Sequence, residues 1–219
     1  MKTLKRILSV FVAAVMLVCS FSFLTATAAD TEEPEYVARM TLGYRDGAKA
    51  FEGHAFLYFE NLTDHAITVG CYNVGVGVCI SVGTFGTMVD GPGLYYNVES
   101  YRYNFLKLTD YISLTKYVTA EELEEVTIKI KNSGFWNKFF NCTYFAVTTW
   151  NIVKGYTMPW LIFPELCNLE IKTTSAHKGY FEMKMPPRGK DSVFKQEGDG
   201  DGAKAVHASW HMEADTITD

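Results

Sequence analysis

Residues 53–61 read GHAFLYFEN, and this stretch predicts a β-strand around which the rest of the fold can be placed. Successive side chains of a strand point to opposite faces. The two predicted faces carry His54, Phe56 and Tyr58 on one side and Ala55, Leu57 and Phe59 on the other. Gly53 leaves open backbone beside the histidine, and the small Ala55 lets another element pack closely behind it.

Outward from this strand, residues 36–101 predict further β-structure. Aromatic and β-branched residues recur in short runs that Gly, Asn and Asp separate. The predicted strands are VARMTLGY (37–44), HAFLYFE (54–60), AITVGCYNV (66–74), VCISVGTF (78–85) and GLYYNVESY (93–101). The pairing of strands between Asn61 and Gly93 stays open, because this stretch is longer than a simple hairpin needs.

Helices are predicted after Tyr117. Thr119 followed three residues later by Glu122 is a capping box, which predicts a helix to about Asn132. A second helix is predicted over residues 142–154, with Asn141 as its N-cap and Gly155 after its end. A third, short amphipathic helix begins at Pro164.

The second helix places a cysteine in its first turn. Cys142 shares a helical stripe with Phe145, Ala146, Thr149 and Trp150, which predicts that the thiol points to the seam between helix and sheet. Free N–H groups at a helix N-terminus favour a thiolate, so we expect a lowered pKa for Cys142. The backbone amide of Cys142 is a natural oxyanion donor. His54 across the seam would transfer the proton.

A Gly-His-Ala strand (53–55) followed much later by an Asn-Cys-x-x-Phe helix start (141–145) resembles the circularly permuted papain-like proteins. This group includes NlpC-type cell-wall peptidases and relatives of lecithin–retinol acyltransferase. The resemblance covers roughly residues 50–175. It implies an α+β domain in which an antiparallel sheet packs on a buried helix that carries the cysteine. It also implies Cys142 as nucleophile, His54 as base, and neither a metal nor an organic cofactor.

The family orients its histidine with a polar residue on a neighbouring strand. On the predicted strand 93–101, Asn97 and Glu99 share one face, and either can accept a hydrogen bond from the ring of His54. His65 is a looser alternative, since its spacing from His54 is similar to the two-histidine spacing of the acyltransferase relatives. The sequence leaves the choice open and favours Glu99 or Asn97.

The first 28 residues predict a signal peptide. Lys2, Lys5 and Arg6 precede a long apolar run, and Ala26-Thr27-Ala28 supplies a cleavage site. Residues 29–186 would then form the domain, and residues 187–219 a polar, Gly- and Asp-rich flexible tail. We therefore expect a secreted protein, outside the cell or at the cell wall, without stable membrane insertion. The remaining chain has 17 Lys and Arg against 25 Asp and Glu, an acidic balance that argues against nucleic-acid binding.

The cysteine pairing cannot be fixed by spacing alone. A hairpin centred on Gly75 would place Cys71 and Cys79 opposite each other, within reach of a disulfide. Cys142 could instead pair with Cys167, which would abolish its nucleophilicity. The sequence leaves both questions open.

The expected function is that of a thiol hydrolase that cleaves an amide bond in peptidoglycan or other short peptides through Cys142 and His54. Two alternatives keep the same fold. One is an acyltransferase or thioesterase, and the other is a secreted binding module without activity. The sequence does not specify an oligomeric state.

Overall fold

The computed structural model describes residues 35–47, 53–159, 163–174, 182–184, 186 and 189–209. The predicted signal peptide lies outside the described residues. None of the helices among these residues combines the length and the apolar composition of a membrane-spanning segment.

The chain forms a seven-stranded sheet from β1 (Tyr36–Arg45), β2 (His54–Asn61), β5 (Cys79–Phe85), β6 (Gly93–Tyr96), β7 (Tyr111–Thr119), β8 (Phe194–Glu197) and β9 (Lys204–His207). The strand order is β7-β1-β2-β5-β6-β8-β9, and the described strand pairs are all antiparallel. A separate hairpin joins β3 (Ile67–Val69) to β4 (Tyr72–Val74).

Four α-helices lie in the described part of the chain: α1 (Val98–Phe105), α2 (Ala120–Lys131), α3 (Cys142–Trp150) and α4 (Pro164–Thr173). The capping box of α2 is confirmed, because the Thr119 side chain accepts from the Glu122 amide and the Glu122 side chain accepts from the Thr119 amide. Asn141 caps α3 as predicted. This helix ends at Trp150, one turn before the predicted Lys154.

The main core lies between one face of the sheet and the helices. The Ala55, Leu57 and Phe59 face of β2 belongs to this core, and so do residues from α2, α3 and α4. Buried side chains of α3 in this core are Phe145, Ala146, Val147 and Trp150. The fold is therefore α+β with an antiparallel sheet, as expected. The other face of β2 packs Phe56 and Tyr58 into a smaller cluster with Tyr111.

The predicted strand 93–101 is wrong in its second half. β6 ends at Tyr96, Asn97 adopts a left-handed conformation with φ 66°, and α1 begins at Val98. Asparagine tolerates this conformation better than most residues. Its buried side chain accepts from the Ser81 amide at 3.2 Å and donates to the Ser192 carbonyl at 2.7 Å. These two distant partners fix the turn from strand to helix.

The predicted flexible tail is also wrong over residues 189–209. Two short 3₁₀ turns, Gly189–Ser192 and Gly200–Gly202, accompany β8 and β9, and β8 pairs with β6. Gln196 is buried in β8 and accepts a hydrogen bond from the Tyr96 hydroxyl at 3.1 Å. The folded domain therefore extends beyond residue 186 through β9.

The predicted run 66–74 is a hairpin rather than one strand. Its turn lies at Gly70 and Cys71, and Gly70 has a φ of 60° that favours glycine. Because β5 pairs with β2 and β6, Cys71 and Cys79 are not opposite each other. All four cysteines in the described residues are free thiols: Cys71, Cys79, Cys142 and Cys167.

Candidate active site

His54 begins β2 on the face that also carries Phe56, and it is only 7% exposed. Its ring stacks on Phe85 of β5 with 4.4 Å between centroids. Gly83 lies beneath the ring, and a Cβ there would come 3.2 Å from His54 Nε2. The absence of a side chain at Gly83 therefore leaves room for the imidazole close to the backbone of β5.

Glu99 lies beside this imidazole, with 3.5 Å between His54 Nε2 and Glu99 Oε1. Glu99 belongs to α1 and is 1% exposed. Its carboxylate accepts from Arg102 Nη1 at 2.7 Å and from the Tyr111 hydroxyl at 2.9 Å. Arg45 Nε lies 3.9 Å from Oε2 of the same carboxylate. One buried carboxylate therefore gathers side chains from β1, β2, β7 and α1.

The two groups have strongly shifted pKa values. Burial lowers the pKa of His54 to about 3 against the opposing influence of Glu99. Burial alone would raise the pKa of Glu99, but Arg102, His54 and Arg45 outweigh it and hold that pKa at about 2. At neutral pH the site therefore contains a neutral imidazole next to an ionised carboxylate.

Cys142 is the first residue of α3 and is 8% exposed. The Asn141 side chain accepts from the Thr143 and Tyr144 amides at 3.0 and 3.1 Å. Burial raises the pKa of the Cys142 thiol, and hydrogen bonds with the Ala55 backbone and with Thr143 only partly oppose this. The expected lowered pKa is therefore wrong for this state, because burial outweighs the N–H groups of the first turn.

Cys142 and His54 line the same cavity of about 550 Å³. They reach it from different sides of β2: His54 lies on the Phe56 face, whereas α3 packs on the face of Ala55. The thiol contacts the backbone of Ala55, the residue after His54. His54 Nε2 is buried and has no hydrogen-bond partner among the described residues.

The structure separates the three candidates for the orienting residue. Glu99 lies next to His54, although it does so from a helix rather than from the predicted strand. Asn97 is bonded to Ser81 and Ser192 and serves the turn before α1. His65 is exposed in the loop before β3, where its Nδ1 lies 3.0 Å from Asp64.

Sequence reasoning missed Arg45, Arg102 and Tyr111. The Glu99 and Arg102 spacing of three residues is a helical ion-pair pattern, and it would have been readable had α1 been recognised. Arg45 and Tyr111 lie on other strands, and no local pattern links them to Glu99. Only the strand register brings them there, since Arg45 pairs with both His54 and Tyr111.

The pKa shifts predict a loss of stability in acid. His54 has a folded pKa of about 3 against an ordinary 6.5, so unfolding takes up a proton between these values. The stabilisation is complete above pH 6.5 and falls as the pH drops towards 3, by up to about 1.4 kcal/mol per pH unit. Glu99 acts in the same direction between its ordinary 4.5 and about 2. Urea unfolding from pH 4 to 8 measures this slope.

The control for this slope is His54→Gln, which removes the titrating ring. We expect the free energy of unfolding of this variant to vary less between pH 6.5 and 4.5 than that of the parent chain. An identical slope in both proteins would contradict the assignment to His54.

No family model matches the chain, and searches of the curated proteins and of solved structures find no match. The class that the fold and the site define is therefore an α+β protein with a buried His–Glu pair and a helix-terminal cysteine at one cavity.

Proposed function

We propose that the protein is a secreted thiol hydrolase with a permuted papain-like arrangement, which cleaves amide bonds in cell-wall or other short peptides. Cys142 is the nucleophile, His54 transfers the proton, and Glu99 is a positioning residue for the imidazole. The observation that carries the proposal is that Cys142 and His54 line one cavity while Glu99 lies 3.5 Å from His54 Nε2.

Each residue has a defined part in the proposed reaction. The Cys142 sulfur attacks the amide carbon as His54 accepts the thiol proton, and a thioester forms when the amine leaves with that proton. Water then hydrolyses the thioester with His54 again acting as base. With Nε2 facing Glu99, Nδ1 is the ring nitrogen assigned to proton transfer. The Cys142 amide is the assigned oxyanion donor.

A neutral resting pair is compatible with this chemistry. Burial disfavours both the thiolate and the imidazolium. The proton therefore moves from Cys142 to His54 during the attack rather than before it. Substrate bound in the cavity lies in the same buried environment as these two groups. Glu99, ionised and held by Arg102 and Tyr111, stabilises the imidazolium that forms.

A second candidate function is a secreted binding module that has this fold without catalysis. The observation that favours it is the burial of Cys142, which raises the pKa of the thiol. A thiol kept protonated is a poor nucleophile. The acyltransferase alternative has no comparable support, because the cavity walls mix aromatic with cationic side chains rather than forming an apolar channel.

The experiment that tests the proposal is digestion of muropeptides by the chain from residue 29 onward. Mass spectrometry follows the products, and an assay for new amino groups follows the bond cleaved. We expect cleavage that iodoacetamide abolishes, with the label mapped to Cys142. A folded protein that releases no amine and whose Cys142 stays unlabelled between pH 7 and 8 would contradict the hydrolase and favour the binding module.

A further inference from the structure

The described lining of the cavity carries an excess of positive charge. Its described lining includes three cationic side chains, Arg45, Arg102 and Lys138, and no carboxylate. Glu99 lies behind this lining and contributes one negative charge, while His54 is neutral at pH 7. The site is thus cationic, although the whole chain is acidic, with a formal net charge of −5. A cationic cleft concentrates anionic ligands.

The two arginines differ in how their guanidinium groups are used. Arg102 donates to Glu99 at 2.7 Å and lies over the ring of Phe85. Arg45 Nε is buried without a hydrogen-bond partner in the described structure, and its Nη1 makes only a long, 3.4 Å bond to the Asp46 carbonyl. A guanidinium has five donors. Arg45 therefore has donor capacity left at the cavity.

The strand register places the unused donors of Arg45 next to the proposed reacting groups. Arg45 is the direct cross-strand partner of His54, and its side chain remains 21% exposed. Asp46, the acid that follows Arg45 in the sequence, is engaged elsewhere: its carboxylate accepts from Asn168 at 2.7 Å and lies 4.0 Å from Lys172 Nζ. Glu99 is the ion-pair partner of Arg45, but it lies 3.9 Å from Nε without a hydrogen bond, so donors of the guanidinium remain for the anionic group of a ligand.

Aromatic side chains form part of the remaining wall, beside threonine and asparagine side chains. Phe85, Trp136 and Phe163 line the cavity. Trp136 packs directly on Gly86, where a Cβ would overlap the indole ring. Flat apolar walls next to cations fit a ligand that has an apolar or planar part beside an anionic group.

We propose that the cavity selects amides that carry a free carboxylate close to the scissile bond, and that Arg45 binds this carboxylate. The inference rests on the proposed function and names its substrate class. Arg45 is chosen over Arg102 because Arg102 donates a hydrogen bond to Glu99, whereas Arg45 contacts Glu99 only as a 3.9 Å ion pair. The planar fork of an arginine can pair with both oxygens of a carboxylate.

The test is calorimetric binding of two peptides that differ in charge, N-acetyl-alanyl-glutamate and the uncharged N-acetyl-alanyl-glutamine amide. The chain from residue 29 is expected to bind the acidic peptide about 10- to 100-fold more tightly, the ratio typical of a charge-assisted hydrogen bond. Arg45→Gln should remove the difference, and Arg45→Lys should retain part of it. Lys172→Gln, which changes an exposed cation beside Asp46, is the matched control and should keep it.

The outcomes separate this inference from the proposed function. Equal binding of the two peptides by the parent chain overturns it, whether or not the variants fold. An unchanged preference in a folded Arg45→Gln variant overturns the role of Arg45. Acid-selective binding without cleavage of any amide would contradict the hydrolase but support the carboxylate site. Cleavage of neutral amides without preference would support the hydrolase and contradict the carboxylate site.

Discussion

Cys142→Ser is expected to lower amide turnover by about 10³-fold or more, since removal of a nucleophile typically has effects of this size. A serine hydroxyl keeps the size of the side chain and can still bond with the backbone of Ala55, so the fold should persist. The hydroxyl is a much weaker nucleophile than a thiol at the same position. Measurement of kcat and KM on a muropeptide cleaved by the parent chain checks this.

The matched control for this variant is Cys71→Ser. Cys71 is a free, half-buried thiol in the turn between β3 and β4, and its sulfur donates to Gln196 rather than lining the cavity. Its replacement should leave kcat within about twofold. Full turnover in a folded Cys142→Ser protein would remove Cys142 as the nucleophile, whatever the behaviour of the control.

Glu99→Ala is expected to have the largest effect on stability. The change leaves the cationic Arg102 and Arg45 without their carboxylate and the Tyr111 hydroxyl without its acceptor. Loss of one partner from a buried charged network typically lowers the free energy of unfolding by about 3–5 kcal/mol. Urea denaturation measures the change. Glu99→Gln keeps an acceptor for Tyr111 and should be less destabilising, although it removes the charge.

The control for Glu99 is Glu197→Gln. Glu197 lies 3.5 Å from Lys204 in an exposed ion pair, and such pairs contribute little. A loss in Glu99→Ala that is no larger than that in Glu197→Gln would show that the carboxylate does not hold the network together. As a positioning residue, Glu99 should also affect the pH profile: Glu99→Gln is expected to shift the pH dependence of kcat, which a purely structural role would not do.

Local sequence signals predicted those helices and strands that are stabilised by residues close to each other in the sequence. The capping box at Thr119 and Glu122, the Asn141 cap and the alternation of β2 all depend on residues within a few positions of each other. The start of α1 was missed because GLYYNVESY alternates as a strand does. The turn at Asn97 is held by Ser81 and Ser192, which no local window contains.

The site was predicted in part. Glu99 was predicted as a candidate orienting residue because it was expected to share a strand face with Asn97. In the structure Glu99 lies in α1 instead, and this helix places only Glu99 beside His54. The raised pKa of Cys142 follows from its burial, which depends on how α3 packs on the sheet. Arg45 joins the site through the register of β1 with β2 and β7, a long-range property that sequence spacing does not encode.

The position of β8 in the sheet also sets the order in which the fold can be completed. Tyr96 pairs with Phe194, so residues 97–193 must be made before the partner of β6 exists. Until then β6 is an open edge, a type of strand that readily pairs with other chains. The sheet is thus completed late, by β8 and β9, and the β6 edge stays available to a chaperone, or to another copy, while residues 97–193 are made.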